Sequence, residues 1–115
     1  MKFITQLIVT ALAVIVTSLL LPGVHLDGAL TAVIVAAVLS FMNAIVKPVL
    51  VFLTIPITLF TFGFFLLVIN ALIILLTARL VDGFKVDGFW IALLFSLILS
   101  LVNSIFNSIA KDRED

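Results

Sequence analysis

Asn43-Ala44-Ile45-Val46-Lys47-Pro48 is the polar end of a long apolar run, and its Lys47 is the one charge between Asp27 and Arg79. Outward from this stretch, a second asparagine, Asn103, stands sixty residues later in a segment that reads as a copy of the first. With a shift of sixty, residues 9–49 and 69–109 align without a gap and 12 of 41 positions are identical. Random pairing of so leucine-rich a chain gives roughly four identities, and internal self-similarity is read before any single element is assigned. The matches at residue types rare in this chain weigh most: Gly23 with Gly83, Asp27 with Asp87, Gly28 with Gly88, Ser40 with Ser100, and Asn43 with Asn103. Each copy holds one helical hairpin. The reading is therefore an all-α, integral membrane four-helix bundle made of two tandem parallel repeats, about 9–49 and 69–109.

Composition supports the membrane class. The chain has 115 residues, of which 65% are hydrophobic and 10% charged, and its mean hydropathy is +1.53. Soluble domains carry about 25% charged residues, and a chain this short has too much surface to hide such a composition in a core. Six cations balance six anions, so no basic field attracts nucleic acid. Cysteine is absent, which excludes disulfides, thiol catalysis and thiolate metal sites. One chain of this size makes a single transmembrane domain, 1–115.

The first helix is expected over about 3–21, long enough to cross a bilayer. A signal peptide is the rival reading, but the run exceeds a usual apolar core and no A-x-A-like site precedes Pro22-Gly23. Loop 22–28 follows, where Asp27 is placed to cap the next helix by accepting its free N–H groups. The second helix covers about 29–47, with Pro48 kinking or ending it. Val49 to Phe62 must hold a turn, with Pro56 as a second breaker, yet it is too apolar for a solvated loop. It is expected at the membrane interface, protected by neighbouring helices. A third helix over about 60–81, loop 82–88 with Asp87 as the equivalent cap, a fourth helix over about 89–109 and a charged tail 110–115, too brief to fold alone, complete the chain.

Four crossings put the termini and the middle turn on one side and both loops on the other. Lys2, Lys47, Lys111 and Arg113 share the terminal side, against Arg79 and Lys85 on the loop side. The positive-inside rule then places both termini in the cytoplasm. Lys47, Arg79 and Trp90 read as interface anchors, since long cations snorkel and indole rings prefer the headgroup level. Arg79 and Asp82 are spaced to pair.

Small and polar residues recur along single helix faces. Ala32, Ala36, Ser40 and Asn43 do so on the second helix, Asn70 and Thr77 on the third, and Ala92, Ser96, Ser100 and Asn103 on the fourth. Small side chains let helix backbones approach, and Ser or Asn bond across the contact. These stripes either build the bundle from within or line an oligomer interface or a wet pathway. His25 with Asp27, Asp82 and Asp87 is a weak imitation of a metal site. No nucleophile–base pair, phosphate loop or zinc motif is present, so neither an enzyme nor a cofactor is expected.

Asn43 with Lys47-Pro48, then Pro56, the Phe62-Gly63 step and Val68-Ile69-Asn70-Ala71-Leu72 carry a family likeness. Over nearly its whole length the chain resembles the mycobacterial-type four-helix phage holins of superfamily IV, a group that includes bacterial chromosomal membrane proteins. The resemblance implies a multi-pass protein of the bacterial inner membrane, with the lipid bilayer and further copies of itself as partners. It implies a holin-like protein that oligomerises and permeabilises the membrane. The alternative is a non-lytic structural or envelope-stress regulatory protein acting through membrane or envelope partners. A small solute or ion transporter is the weaker third reading.

Overall fold

Pro22 and Gly23 stop the first helix, and the chain then does something the loop reading missed. The computed structural model describes the backbone of residues 2–114 and the side chains of residues 2–109. Helix α1 (Lys2–Leu20) leads into a short strand, β1 (Val24–Leu26), and the equivalent loop holds β2 (Phe84–Val86). The two strands pair antiparallel, with Val24 opposite Val86, His25 opposite Lys85 and Leu26 opposite Phe84. Flanking bonds run from Asp27 N–H to the Gly83 carbonyl (2.8 Å) and from Asp87 N–H to the Gly23 carbonyl (2.9 Å). A shift of sixty maps this register onto itself with the strands exchanged, so a local two-fold passes between His25 and Lys85. Each extended loop thus finds backbone partners in the other loop, which satisfies groups that would otherwise sit unpaired.

Asp27 and Asp87 do not cap helices with their side chains as expected. Gly28, at φ 108°, holds the cap position of α2 (Ala29–Phe41), with no side-chain bond. The Asp27 carboxylate instead accepts from His25 Nε2 at 2.6 Å. No side-chain hydrogen bond of Asp87 occurs among the described residues. Both aspartates serve the clasp through their backbone amides.

The second helix also runs past its expected end at residue 47. After α2 come a π-helical turn (Met42–Val46) and α3 (Lys47–Leu53), an unbroken rod of 25 residues from Ala29 to Leu53. In a regular helix Pro48 would lack its donor and press its ring on the carbonyl four residues back. Here Lys47 N–H reaches five residues back, to the Met42 carbonyl. The wider turn absorbs the proline, and the helix continues.

The chain bends at Thr54, forms α4 (Ile55–Phe60), turns at 61–64 and enters α5 (Phe65–Leu80), later than the expected start near 60. The turn uses left-handed conformations at Phe62 (φ 57°) and Gly63 (φ 88°). Its N–H groups are all satisfied: Thr61 to Ile57, Phe62 to Leu59, Gly63 to Thr58 and Phe64 to Thr61. The Thr61 hydroxyl accepts from Phe65 N–H at 3.2 Å. Such self-sufficiency lets irregular backbone sit in an apolar setting. The 16 residues of α5 span about 24 Å, less than the ~30 Å bilayer core.

The last helix, α6 (Phe89–Glu114), continues as far as Glu114 into the charged tail expected to be too brief to fold alone. Extending an existing helix costs far less than nucleating one. α1, the Ala29–Leu53 rod and α6 are each long and apolar enough to cross a membrane, with α5 as the shorter fourth. Around the bundle, α1 packs on α2 and α6, while α5 packs on α6 and on the α2–α3 rod. The fold is an all-α four-helix membrane bundle. Phe95, Phe84, Ile69, Val14, Val35, Thr17 and Thr77 are its largest fully buried side chains.

Candidate functional site: a polar chamber in the bundle

The stripes are buried in their loop-side half, whereas toward the termini Ser40, Asn70 and Asn103 are half-buried and Asn43 and Ser100 exposed. Ala32, Ala36 and Ala92 are fully buried, Thr77 likewise, and Ser96 keeps 7% of its surface. The packing is repeated in the two halves: Thr17 Oγ1 donates to the Ala13 carbonyl at 2.7 Å, and Thr77 Oγ1 to the Ile73 carbonyl at 2.8 Å. Each hydroxyl is satisfied within its own helix, so the helices meet there without an unpaired polar group.

Toward the terminal side the stripes open into two adjoining cavities. The larger, about 440 Å³, lies among α1, α2 with its π turn, and α6, and is lined by Gln6, Thr10, Ser40, Asn43, Ser100 and Asn103 with Leu39, Ala44 and Leu99. The smaller, about 70 Å³, lies among the rod, α5 and α6, and is lined by Asn43, Lys47, Asn70, Ser96 and Ser100 with Leu39, Ile73, Ile74 and Leu99. Leu39, Asn43, Leu99 and Ser100 border both. Thr10 in one cavity and Asn70 in the other are sixty residues apart in the chain.

Within this chamber Gln6 Nε2 donates to Thr10 Oγ1 at 3.3 Å, Ser40 Oγ to the Ala36 carbonyl at 2.9 Å, and Ser96 Oγ to the Leu93 carbonyl at 2.8 Å. Asn103 Oδ1 is buried with no partner among the described residues. A buried amide oxygen of this kind calls for water, and a polar space larger than the ~30 Å³ share of one water molecule can supply it. Lys47 is half-buried at the chamber wall. Asn43 lies in the π turn ahead of Pro48 and Lys47 directly follows that turn, so both reach this wall from one continuous rod.

The chamber is blind. One helical turn toward the loop side from Thr10, Leu39, Asn70 and Leu99 stand Val14, Val35, Ile74 and Phe95, each at most 3% exposed. Phe84 stacks on Phe95 beyond them, ring centres 5.5 Å apart. Among the described residues, no continuous line of polar side chains joins the chamber to the loop side.

Other residues singled out in the sequence lie elsewhere. Trp90 is exposed and makes an edge contact with Phe89 at 5.4 Å. Arg79 and Asp82 do not pair, and among the described residues the one ion pair is His25–Asp27. Among the same residues no group of three His, Cys, Asp or Glu could hold a metal. The π turn and the clasp were missed. A proline one residue after a lysine in an otherwise unbroken apolar helix was the available signal for the first, and the alternating Val-His-Leu and Phe-Lys-Val triplets for the second.

Residues 1–105 match the family model described as mycobacterial 4 TMS phage holin, superfamily IV. The chain belongs to this family. It is 38% identical over 101 residues to the uncharacterized membrane protein YvlD of Bacillus subtilis, covering 87% of this chain and 85% of that one. It is 39% identical over 123 aligned positions to the uncharacterized protein SCO3922 of Streptomyces coelicolor, covering 98% of each. No solved structure matches the chain. A holin-family membrane protein is therefore the established description, and its relatives carry no assigned activity.

Proposed function

We propose that this holin-family protein is a non-lytic, non-enzymatic component of the bacterial inner membrane, with both termini in the cytoplasm. It works as a closed bundle through membrane or envelope partners rather than by opening a lesion. The supporting observation is that the alanines of its small-residue stripes are used within one chain: Ala32, Ala36 and Ala92 have no exposed surface left for a second copy. Lateral assembly through those stripes would require the bundle to come apart first. Copies that associate while closed do so through the outer apolar faces, where Leu30, Leu94 and Leu101 point away from the core. The plug of Val14, Val35, Ile74 and Phe95 argues in the same way against a through-going solute path.

The holin-like alternative has one observation in its favour. Gln6, Asn43 and Ser100 are exposed along the cleft between α1, the rod and α6, and outward polar groups in a membrane seek partners or water. Membrane potential during controlled expression in a bacterium, followed with a voltage-sensitive dye, separates the two. The closed-bundle reading expects a steady potential at expression far above native, in wild type and in Asn43→Leu and Asn103→Leu alike. Abrupt depolarisation at a threshold level, delayed or lost in those variants, would overturn it in favour of holin-like assembly.

A further inference from the structure

Two surface grooves flank the clasp, and the two-fold relates them. One, about 460 Å³, runs along α1 and β1 and includes Ile15, Ser18, Leu19, Val24, His25 and Leu26. The other, about 590 Å³, runs along α5 and β2 and includes the six positions sixty residues on: Leu75, Ala78, Arg79, Phe84, Lys85 and Val86. The furrows share a shape but not a charge. Where the first has Leu19 and His25, the second has Arg79 and Lys85. In the second, the apolar floor continues down α5 through Leu76 to Leu72, about 10 Å below Arg79 along the helix axis. Neither cation takes part in an ion pair among the described residues.

We infer that the α5–β2 groove binds a single anionic phospholipid of the loop-side leaflet. Its phosphate sits between Arg79 and Lys85, and one acyl chain lies along Leu76 and Leu72. The guanidinium offers a planar donor fork suited to phosphate oxygens, and the Lys85 ammonium adds a second charge. The groove opens on the outer surface at the loop end of the bundle, where Arg79 and Lys85 are exposed, and cations at the end of a membrane-spanning helix meet lipid headgroups. Asp87 lines the same groove. Its carboxylate favours a headgroup that also carries hydrogen-bond donors, as the glycerol hydroxyls of phosphatidylglycerol do. This inference is independent of whether the protein permeabilises membranes.

The test is native mass spectrometry of the full chain released from nanodiscs of equal phosphatidylglycerol and phosphatidylcholine, counting retained lipids. A membrane-surface cation adds about five-fold in affinity for anionic lipid. Wild type is expected to keep one phosphatidylglycerol in clear preference, and Arg79→Gln with Lys85→Gln to lose that preference. Lys47→Gln, on the other side of the membrane, should keep it. A gain-of-function arm guards against simple misfolding: Leu19→Arg with His25→Lys copies the charges into the empty counterpart and is expected to retain a second phosphatidylglycerol. No preference in wild type, full preference in the Arg79/Lys85 double variant, or no second lipid in the charge-copied variant would each overturn the assignment.

Discussion

Single residues set how closely the two halves meet. At Gly83 the backbone lies at φ 90°, and a Cβ added there would sit 3.0 Å from both Cβ and Oδ2 of Asp27. At Gly88 φ is 100° but nothing lies within 4 Å of an added Cβ. Left-handed backbone costs a residue with a side chain roughly 1–2 kcal/mol. Gly88→Ala is therefore expected to lose about that much stability, and Gly83→Ala more, because Asp27 must also shift and the clasp hydrogen bond with it. Thermal unfolding of both variants in detergent checks the order, and equal losses would deny the close approach at Gly83. Much of this scale was legible in the sequence. Small residues at Ala32, Ala36, Ala92 and Ser96 marked the close helix contacts, because only backbone proximity makes such positions useful in an apolar helix. The roles of Asp27 and Asp87 were not legible. A carboxylate before a helix predicts a cap, but His25 competes for Asp27 at 2.6 Å, a contact two residues apart that depends on the strand conformation.

At the scale of elements, the π turn and the clasp carry most of what periodicity could not show. A π turn is one residue inserted into a helix, and an apolar run has no pattern by which to count it. The inserted residue accommodates Pro48. Deleting Ile45 removes the extra residue and returns Pro48 to a regular helix, where it costs about 3 kcal/mol. The same deletion in a Pro48→Ala background is expected to cost far less. Unfolding measurements on the two single changes and the combination check this, and additive losses would mean that the turn serves something other than the proline. The strands were hidden for a different reason. Each is 3 residues long, and neither has a partner nearer than the other repeat, so the alternating triplets hint at extended chain but local sequence does not say what each pairs with.

For the whole molecule, the four-helix membrane class followed from composition and run lengths, while the closed character followed only from packing. The blind chamber depends on which of many similar apolar residues fill the plug, and Val14, Val35, Ile74 and Phe95 look like any other lipid-facing side chains until placed. Orientation is open to direct measurement. Because the chain has no cysteine, a single introduced thiol reports alone. With the termini cytoplasmic, Lys85→Cys is expected to react with a membrane-impermeant maleimide in intact protoplasts, and Lys2→Cys only after permeabilisation. The reverse pattern would invert the topology. If one chain closes its own bundle through the clasp, His25→Cys with Lys85→Cys will report it. These residues face each other in the antiparallel pair, where opposed Cα atoms lie about 4.5–5.5 Å apart, within disulfide range. Oxidation in native membranes should consume both thiols within one chain and leave a monomer on a non-reducing gel. Disulfide-linked dimers or ladders, or two free thiols, would contradict the closed bundle.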